Sequence, residues 1–381
     1  MPSWLIFLLV LSVLVLIHEL GHFIASRLLG IKVEEFAFGL PFTKPLLSLR
    51  RGETQYSVYP LLFGGFVRLY GEESEIEVDK SRSFWSRGRK QRMAVIVAGV
   101  VMNIALALVS FVVLYSVVGV PLSKTDKVTV IAVEDQSPAD VAGLAVNDRV
   151  IAVEDKAVAD GAEFSRLMRS WAGIKVNLTV ERGLGTPLLE GIAERGTKRE
   201  TIVVTPRLNP PEGQGPLGVR IADFPYLQMR ECSLVNGQCV VAAARQGVIT
   251  TANWVGRVVE GLRSIGQNLL AGKAPEGVAG PIGIYQLTDV VSQGGFLPIL
   301  ELTAVLSVNL AVFNVLPIPA LDGGRLLFIW LEFFRRKRLP AELEQKINSW
   351  GMIALIGLLA LISLQDVFRL GWISQLLDII R

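Results

Sequence analysis

Four stretches of this 381-residue sequence are apolar for about twenty residues, the length that crosses a bilayer. In lipid the backbone has no water to bond to, so runs this long and uninterrupted read as helices. They are Ser3 to Leu29, Met93 to Val120, Leu297 to Leu316 and Ile347 to Leu364. The first lacks a basic start and a small-residue cleavage site, so it is expected to remain a span rather than leave as a signal peptide. Lys and Arg set the orientation. Lys32, Arg50, Arg51, Arg68, Arg87 and Arg92 fall among eleven cations between the first two spans, and Arg335, Arg336, Lys337 and Arg338 lie between the last two. Cations favour the cytoplasmic side. Both connections are therefore expected inside and both termini outside. The expected fold is a four-helix membrane protein. It divides into a first membrane half (1–121), an outer domain (122–225), a helical linker region (226–296) and a second membrane half (297–381).

The chain has only two histidines, and both lie in the first span, in His18-Glu19-Leu20-Gly21-His22. On a helix this spacing puts both imidazoles on one face, able to share one Zn²⁺, with the glutamate beside them as general base. Ionisable groups inside an apolar span are costly and point to function. A catalytic zinc needs three protein ligands and an open position. With no third histidine, the third must be Asp, Glu or Cys. The two cysteines form no C-x-x-C pair. The run Glu72, Glu73, Glu75, Glu77 reads as a solvated loop. Asp322, in Asn314-Val-Leu-Pro-Ile-Pro-Ala-Leu-Asp322-Gly-Gly, follows the third span on the histidines' side of the membrane. Pro317 and Pro319 break the helix, so Asp322 is expected on irregular backbone beside a cavity. A soluble metzincin would carry a glycine and a third histidine where Ala25 and Leu28 stand. A net charge of +3 and no basic tract exclude a nucleic-acid partner.

Between spans two and three, Lys127–Val133, Asp148–Val153, Val176–Val180 and Thr201–Thr205 read as strands, and Ser137–Leu144 and Glu163–Trp171 as helices. The pattern Ser-Pro-Ala-x-x-Ala-Gly-Leu-x-x-x-Asp-x-Val-Ile resembles the PDZ domain of bacterial proteases. That implies capture of an extended chain end, with Gly215, Leu217, Gly218 and Val219 as the candidate binding loop. Phe36–Pro41 and Gln55–Arg68 are apolar, β-prone and glycine-punctuated, and are expected as hairpins at membrane depth, with Gly64 and Gly65 near the substrate. Pro60 points to an edge strand. Val240–Gly272 reads as an amphipathic helix. Cys232 and Cys239 would lie outside, flanking the turn signal Asn236-Gly237, and are expected to be bonded.

The two zinc motifs on opposing spans, the PDZ-like segment and Gly280-Pro281-Ile282 before span three together resemble the site-2 protease family. The likeness is to its bacterial regulator of sigma-E protease branch, with one PDZ domain. The resemblance implies a zinc endopeptidase of the bacterial inner membrane. It would cut single-pass membrane proteins within their transmembrane helix after another protease has trimmed them outside. It implies His18, His22 and Asp322 as zinc ligands, Glu19 as base, and Asn314 on the substrate backbone. The family's Gly-Pro-x-x-Asn stands here as Gly99-Val-Val-Met-Asn103, without the proline. A catalytically inactive PDZ scaffold and a metal transporter are the other readings. The transporter would need more intramembrane carboxylates than Glu301 and Asp322.

Overall fold

A computed structural model describes residues 2–72, 81–182, 185–194, 198–211, 213–230, 237–272, 280–337 and 340–369. The chain forms two compact units: residues 1–113 with 244–381, and residues 114–243.

The first unit contains α1 (Ser3–Leu28), β1 (Val33–Leu40), β2 (Leu47–Arg51), β3 (Thr54–Val58), β4 (Leu61–Leu69) and most of α2 (Arg89–Val118). Among the described residues, four helical segments are long and apolar enough to cross a membrane: Ser3–Leu28, Arg89–Val118, Phe296–Val315 and Glu342–Asp366. All four expected spans are thus helices.

The strands form one sheet in the order β2-β3-β1-β4. This corrects the hairpin expectation. β3 and β4 do not pair with each other. β1 lies between them, parallel to β3 and antiparallel to β4. The alternation in Val33-Glu-Glu-Phe-Ala-Phe explains why β1 is the inner strand: Val33, Glu35 and Ala37 are buried on one face. Pro60, which has no N–H to give, falls in the link before β4 rather than in a strand. Among the described residues β4 is an edge of this sheet. A core of Ile31, Val33, Leu69, Phe84, Val95, Ile96 and Ile329 packs the sheet between the end of α1, α2 and the later segment carrying Ile329.

The second unit is built on a sheet of β5 (Val120–Val133), β6 (Arg149–Val153), β7 (Lys156–Ala157), β8 (Val176–Arg182), β9 (Gly185–Leu188), β10 (Gly191–Glu194), β11 (Lys198–Val204) and β12 (Val219–Arg230). Its order is β11-β8-β6-β5-β12-β10-β9, with β7 on β6. Two short helices accompany it: α3 (Pro138–Val141), capped by Ser137, and α4 (Gly161–Ser170), capped by Asp160. The unit runs past the expected 122–225 because β5 and β12 form one long antiparallel ribbon, with Val120 opposite Arg230 and Val133 opposite Val219. Cys239 is disulfide-bonded; Cys232 lies outside the described residues.

Five helices follow among the described residues: α5 (Gly237–Leu270), which returns the chain to the first unit, then α6 (Pro281–Ser292), α7 (Phe296–Val315), α8 (Asp322–Arg335) and finally α9 (Ala341–Arg369). The sequence reading missed α6 and α8. The N-terminus of α6 has no side-chain cap of its own. Asp366 of α9 accepts hydrogen bonds from Gly280 and Gly283 N–H at 3.0 and 3.1 Å instead. A Cβ on Gly280 would come within 2.7 Å of the same carboxylate, which accounts for that glycine.

Candidate metal centre

His18 and His22 lie one turn apart on α1, and their Nε2 atoms are 3.1 Å apart. Asp322 Oδ2 lies 3.0 Å from the first and 3.3 Å from the second. Tetrahedral zinc with bonds of about 2.05 Å separates its ligand atoms by about 3.3 Å. The triangle therefore has nearly the right edge to hold the ion, and among the described residues these three form the group able to do so.

The surroundings fit a cation as well. His22 Nδ1 is 2.9 Å from the Val95 carbonyl, to which Nδ1–H donates, leaving the Nε2 lone pair directed at the triangle. His18 Nδ1 faces the Asn103 side-chain nitrogen at 3.1 Å, while Asn103 Oδ1 is buried without a partner. Turning that amide over brings its oxygen to an Nδ1–H and frees His18 Nε2 for a metal. Asn103 is wholly buried, and its own carbonyl accepts a hydrogen bond from Ser307 of α7 at 2.8 Å. Gly99, one turn before Asn103, faces the imidazoles. A Cβ there would lie 2.5 Å from His22 Nε2 and 2.7 Å from His18 Cε1. Gly21 is equally tight: a Cβ on it would overlap the Ala98 carbonyl. These two glycines let α1 and α2 approach until the imidazoles touch the α2 backbone. In the sequence alone Gly99 and Asn103 carry no assigned role. Their one-turn spacing on an apolar helix was the available signal.

Asp322 departs from expectation. It does not sit on irregular backbone; it opens α8, directly after an irregular turn. α7 stops at Val315, the prolines hold the chain extended, and Ala320 takes the left-handed conformation at φ 74°. α9 braces this turn. Asn348 Oδ1 accepts from Ala320 N–H at 3.2 Å, and Gly351 leaves room for Pro319. Gly323 and Gly324 follow because a side chain on either would strike the carbonyls of Leu316 or Ile318. The Leu-Asp-Gly-Gly sequence is thus the stereochemistry of a helix starting beneath its own turn.

A cavity of about 790 Å³ opens beside the triangle, lined by Glu19, His22, Asp322, Phe66 and Val67 among others. Gly65 of β4 lies beside Glu19: a Cβ there would sit 3.6 Å from Glu19 Cγ and 2.8 Å from the Ala37 carbonyl. Gly64 has φ 94°. Further along the cavity Arg325 pairs with Glu72 at 2.5 Å. Asn314 is buried in the last turn of α7 and is not among the residues that line the cavity. Of the acidic run only Glu72 is described, and it is ion-paired rather than solvated.

In the second unit, Gly215, Leu217, Gly218 and Val219 form a turn entering β12. Gly218 N–H donates to Gly215 O at 3.1 Å, and Leu217 is in the core. Gly218 has φ 72°, and a Cβ on it would meet Ser137 Cβ at 2.5 Å. Beyond Val219 one edge of β12 pairs with β5. Among the described residues the other pairs with β10 only at Tyr226 and Leu227. Along the free part, Asp223 accepts from Gly161 N–H at the start of α4 at 2.9 Å.

The sequence profile of Peptidase family M50 matches residues 6–358. The chain belongs to this family, that of the site-2 proteases. Its relatives include a provisionally named zinc metalloprotease of Clostridium perfringens, 34% identical over 363 residues, covering 94% of this chain and 97% of the relative. The zinc metalloprotease RasP of Bacillus licheniformis is 29% identical over 449 residues, covering 97% and 100%. The chloroplastic membrane metalloprotease ARASP of Arabidopsis thaliana is 32% identical over 381 residues, covering 97% and 79%. This M50 protein is accordingly a multi-pass membrane metalloendopeptidase with Zn²⁺ as its cofactor.

Proposed function

We propose that the protein is an intramembrane endopeptidase of the bacterial inner membrane that cuts single-pass membrane proteins within their transmembrane helix. His18, His22 and Asp322 hold the zinc and Glu19 is the general base. The observation that carries this reading is the meeting, at a helix inside an apolar span, of three convergent donor atoms, a carboxylate one residue from the first, and a strand at the sheet edge among the described residues.

Bound there, Zn²⁺ supplies a Lewis acid and brings the pKa of water towards about 7. Glu19, facing the same cavity, takes the proton from the attacking water and passes it to the leaving amine. Val95 and Asn103 hold the imidazoles in register. A substrate helix hides its scissile carbonyl in its own hydrogen bonds, and opening a turn in lipid leaves several groups unsatisfied. The free edge of β4 offers a row of backbone partners, and Gly65 allows the substrate chain to pass close to Glu19. Substrates with Gly, Ser or Pro near the cut, which unwind readily, are therefore favoured. Asn314 would act on the substrate backbone once the substrate is bound, since it does not line the cavity without it.

The second unit is the PDZ-like domain, outside the membrane, with both termini on that side and the zinc towards the cytoplasm. The turn at Gly215–Val219 and the free part of the β12 edge beside α4 would take an extended chain end. A bilayer core is about 30 Å thick. A segment held there cannot also reach the metal, so the domain admits substrates that another protease has already trimmed.

The test is co-reconstitution with a single-pass substrate, trimmed or untrimmed, and a Glu19→Gln control. Cleavage inside the transmembrane segment that is lost in the control is expected. Cleavage confined to soluble loops would overturn the proposal.

A further inference from the structure

α8 is not a fifth span. Its 14 residues extend about 21 Å at 1.5 Å per residue, against a hydrocarbon core of about 30 Å. It connects α7 and α9, which are both long and apolar enough to cross, so it begins and ends at one face of the membrane. Its own two faces differ sharply. Phe328, Ile329 and Glu332 are buried, and Glu332 pairs with the equally buried Arg92 of α2, which fixes that face to the body of the unit. Trp330, Phe333 and Phe334 point the other way and are 57%, 65% and 62% exposed. They form one patch, with ring centroids 4.5 Å apart for Trp330 and Phe334 and 5.7 Å for Phe333 and Phe334. The helix then runs directly into Arg335, Arg336 and Lys337, all exposed.

We infer that α8 is an interfacial anchor that binds anionic phospholipid. Trp330, Phe333 and Phe334 sit among the acyl chains at the headgroup boundary, and Arg335, Arg336 and Lys337 take the phosphates. Tryptophan favours that boundary, and an aromatic face next to a cluster of cations is the pattern of helices that lie in the membrane surface. Anionic headgroups complement the three cations, each of which enriches such lipid about fivefold. The anchored helix starts with Asp322, so the lipid contact also fixes the depth of the carboxylate that faces His18 and His22. Lipid binding at α8 does not depend on what those three residues hold.

The test uses the full-length protein in nanodiscs of phosphatidylcholine with a fixed fraction of brominated lipid, either phosphatidylcholine or phosphatidylglycerol. The contribution of Trp330 to the fluorescence is the difference between wild type and Trp330→Phe. Bromine is expected to quench it, several-fold more by phosphatidylglycerol than by phosphatidylcholine at equal fraction. That preference should disappear when Arg335, Arg336 and Lys337 are all changed to Gln, with quenching by phosphatidylcholine retained. A Trp330 contribution that neither lipid quenches would mean that protein, such as a second copy of the chain, covers the patch. Equal quenching by both lipids in wild type, or a preference that survives the triple change, would remove the anionic-lipid role.

Discussion

Replacing Gly99 by alanine should weaken zinc binding in this protease while leaving His18, His22 and Asp322 unsubstituted. The added Cβ would lie 2.5 Å from His22 Nε2 and 2.7 Å from His18 Cε1, about 1 Å inside ordinary contact. Neither helix can yield easily, because Gly21 already brings α1 into contact with the Ala98 carbonyl and Asn103 is fully buried one turn below. The imidazoles must move instead. Zinc–nitrogen distances tolerate about 0.2 Å. A displacement of about 1 Å therefore removes at least one ligand. Four-ligand structural sites bind zinc with about 10–16 kcal/mol, roughly 3 kcal/mol per ligand. Gly99→Ala should then weaken zinc by about 100-fold, read by competition against a chromophoric chelator on the purified protein. Gly256→Ala on α5 is the control, since its Cβ would meet nothing within 4 Å. Thermal unfolding of both apo proteins separates loss of metal from loss of fold. If Gly99→Ala holds zinc within threefold of wild type, the close fit of α2 against the histidines is not what shapes the site.

Glu19→Gln should keep zinc and lower turnover by about 10²–10⁴-fold, the usual share of a positioned base; zinc content and cleavage of a membrane substrate check it. Asp322→Ala should lose zinc on dialysis and all activity, and stoichiometric tight zinc in that variant would mean another third ligand. Asn103→Ala should weaken zinc by about 10–100-fold, as expected for a group that orients a ligand, with Asn103→Gln no better because the longer side chain has no space. In the second unit, burial raises the Glu181 carboxyl, but hydrogen bonds from Lys127 and Arg199 and the charges of Lys127 and Arg149 together bring it below the usual range. Its contribution is therefore present above the ordinary glutamate pKa and lost as pH falls through the lowered value. The melting-temperature gap between wild type and Glu181→Gln should shrink towards pH 3, and a gap unchanged by pH would refute that pairing.

What the sequence made legible is what the bilayer and the metal both force. A span must be a continuous apolar helix, so Ser3–Leu28 and Phe296–Val315 stood out within a residue or two. Two histidines at i and i+4 can serve one ion only on a helix, and His18 and His22 do lie one turn apart on α1. Asp322 was expected beside them by location and lies within 3.3 Å of both, but its helix is not legible. The apolar stripe of α8 is short, its first turn is Asp-Gly-Gly, and glycine weakens any reading by propensity. Only the packing of Gly323 and Gly324 against the Leu316 and Ile318 carbonyls shows why a helix begins there. The sheet failed differently. β3 and β4 are consecutive and β-prone, which suggests a hairpin, but β1 carries the buried alternation and takes the place between them. Strand order is a long-range property, and neither strand encodes it alone. Gly99 and Asn103 were hidden for a related reason. On an apolar helix a glycine and an asparagine look like flaws in a span, and they acquire meaning only when α1 is laid against them. In a membrane protease, then, candidate ligands announce themselves by chemistry. The groups that space and orient those ligands are visible only once two helices are in contact.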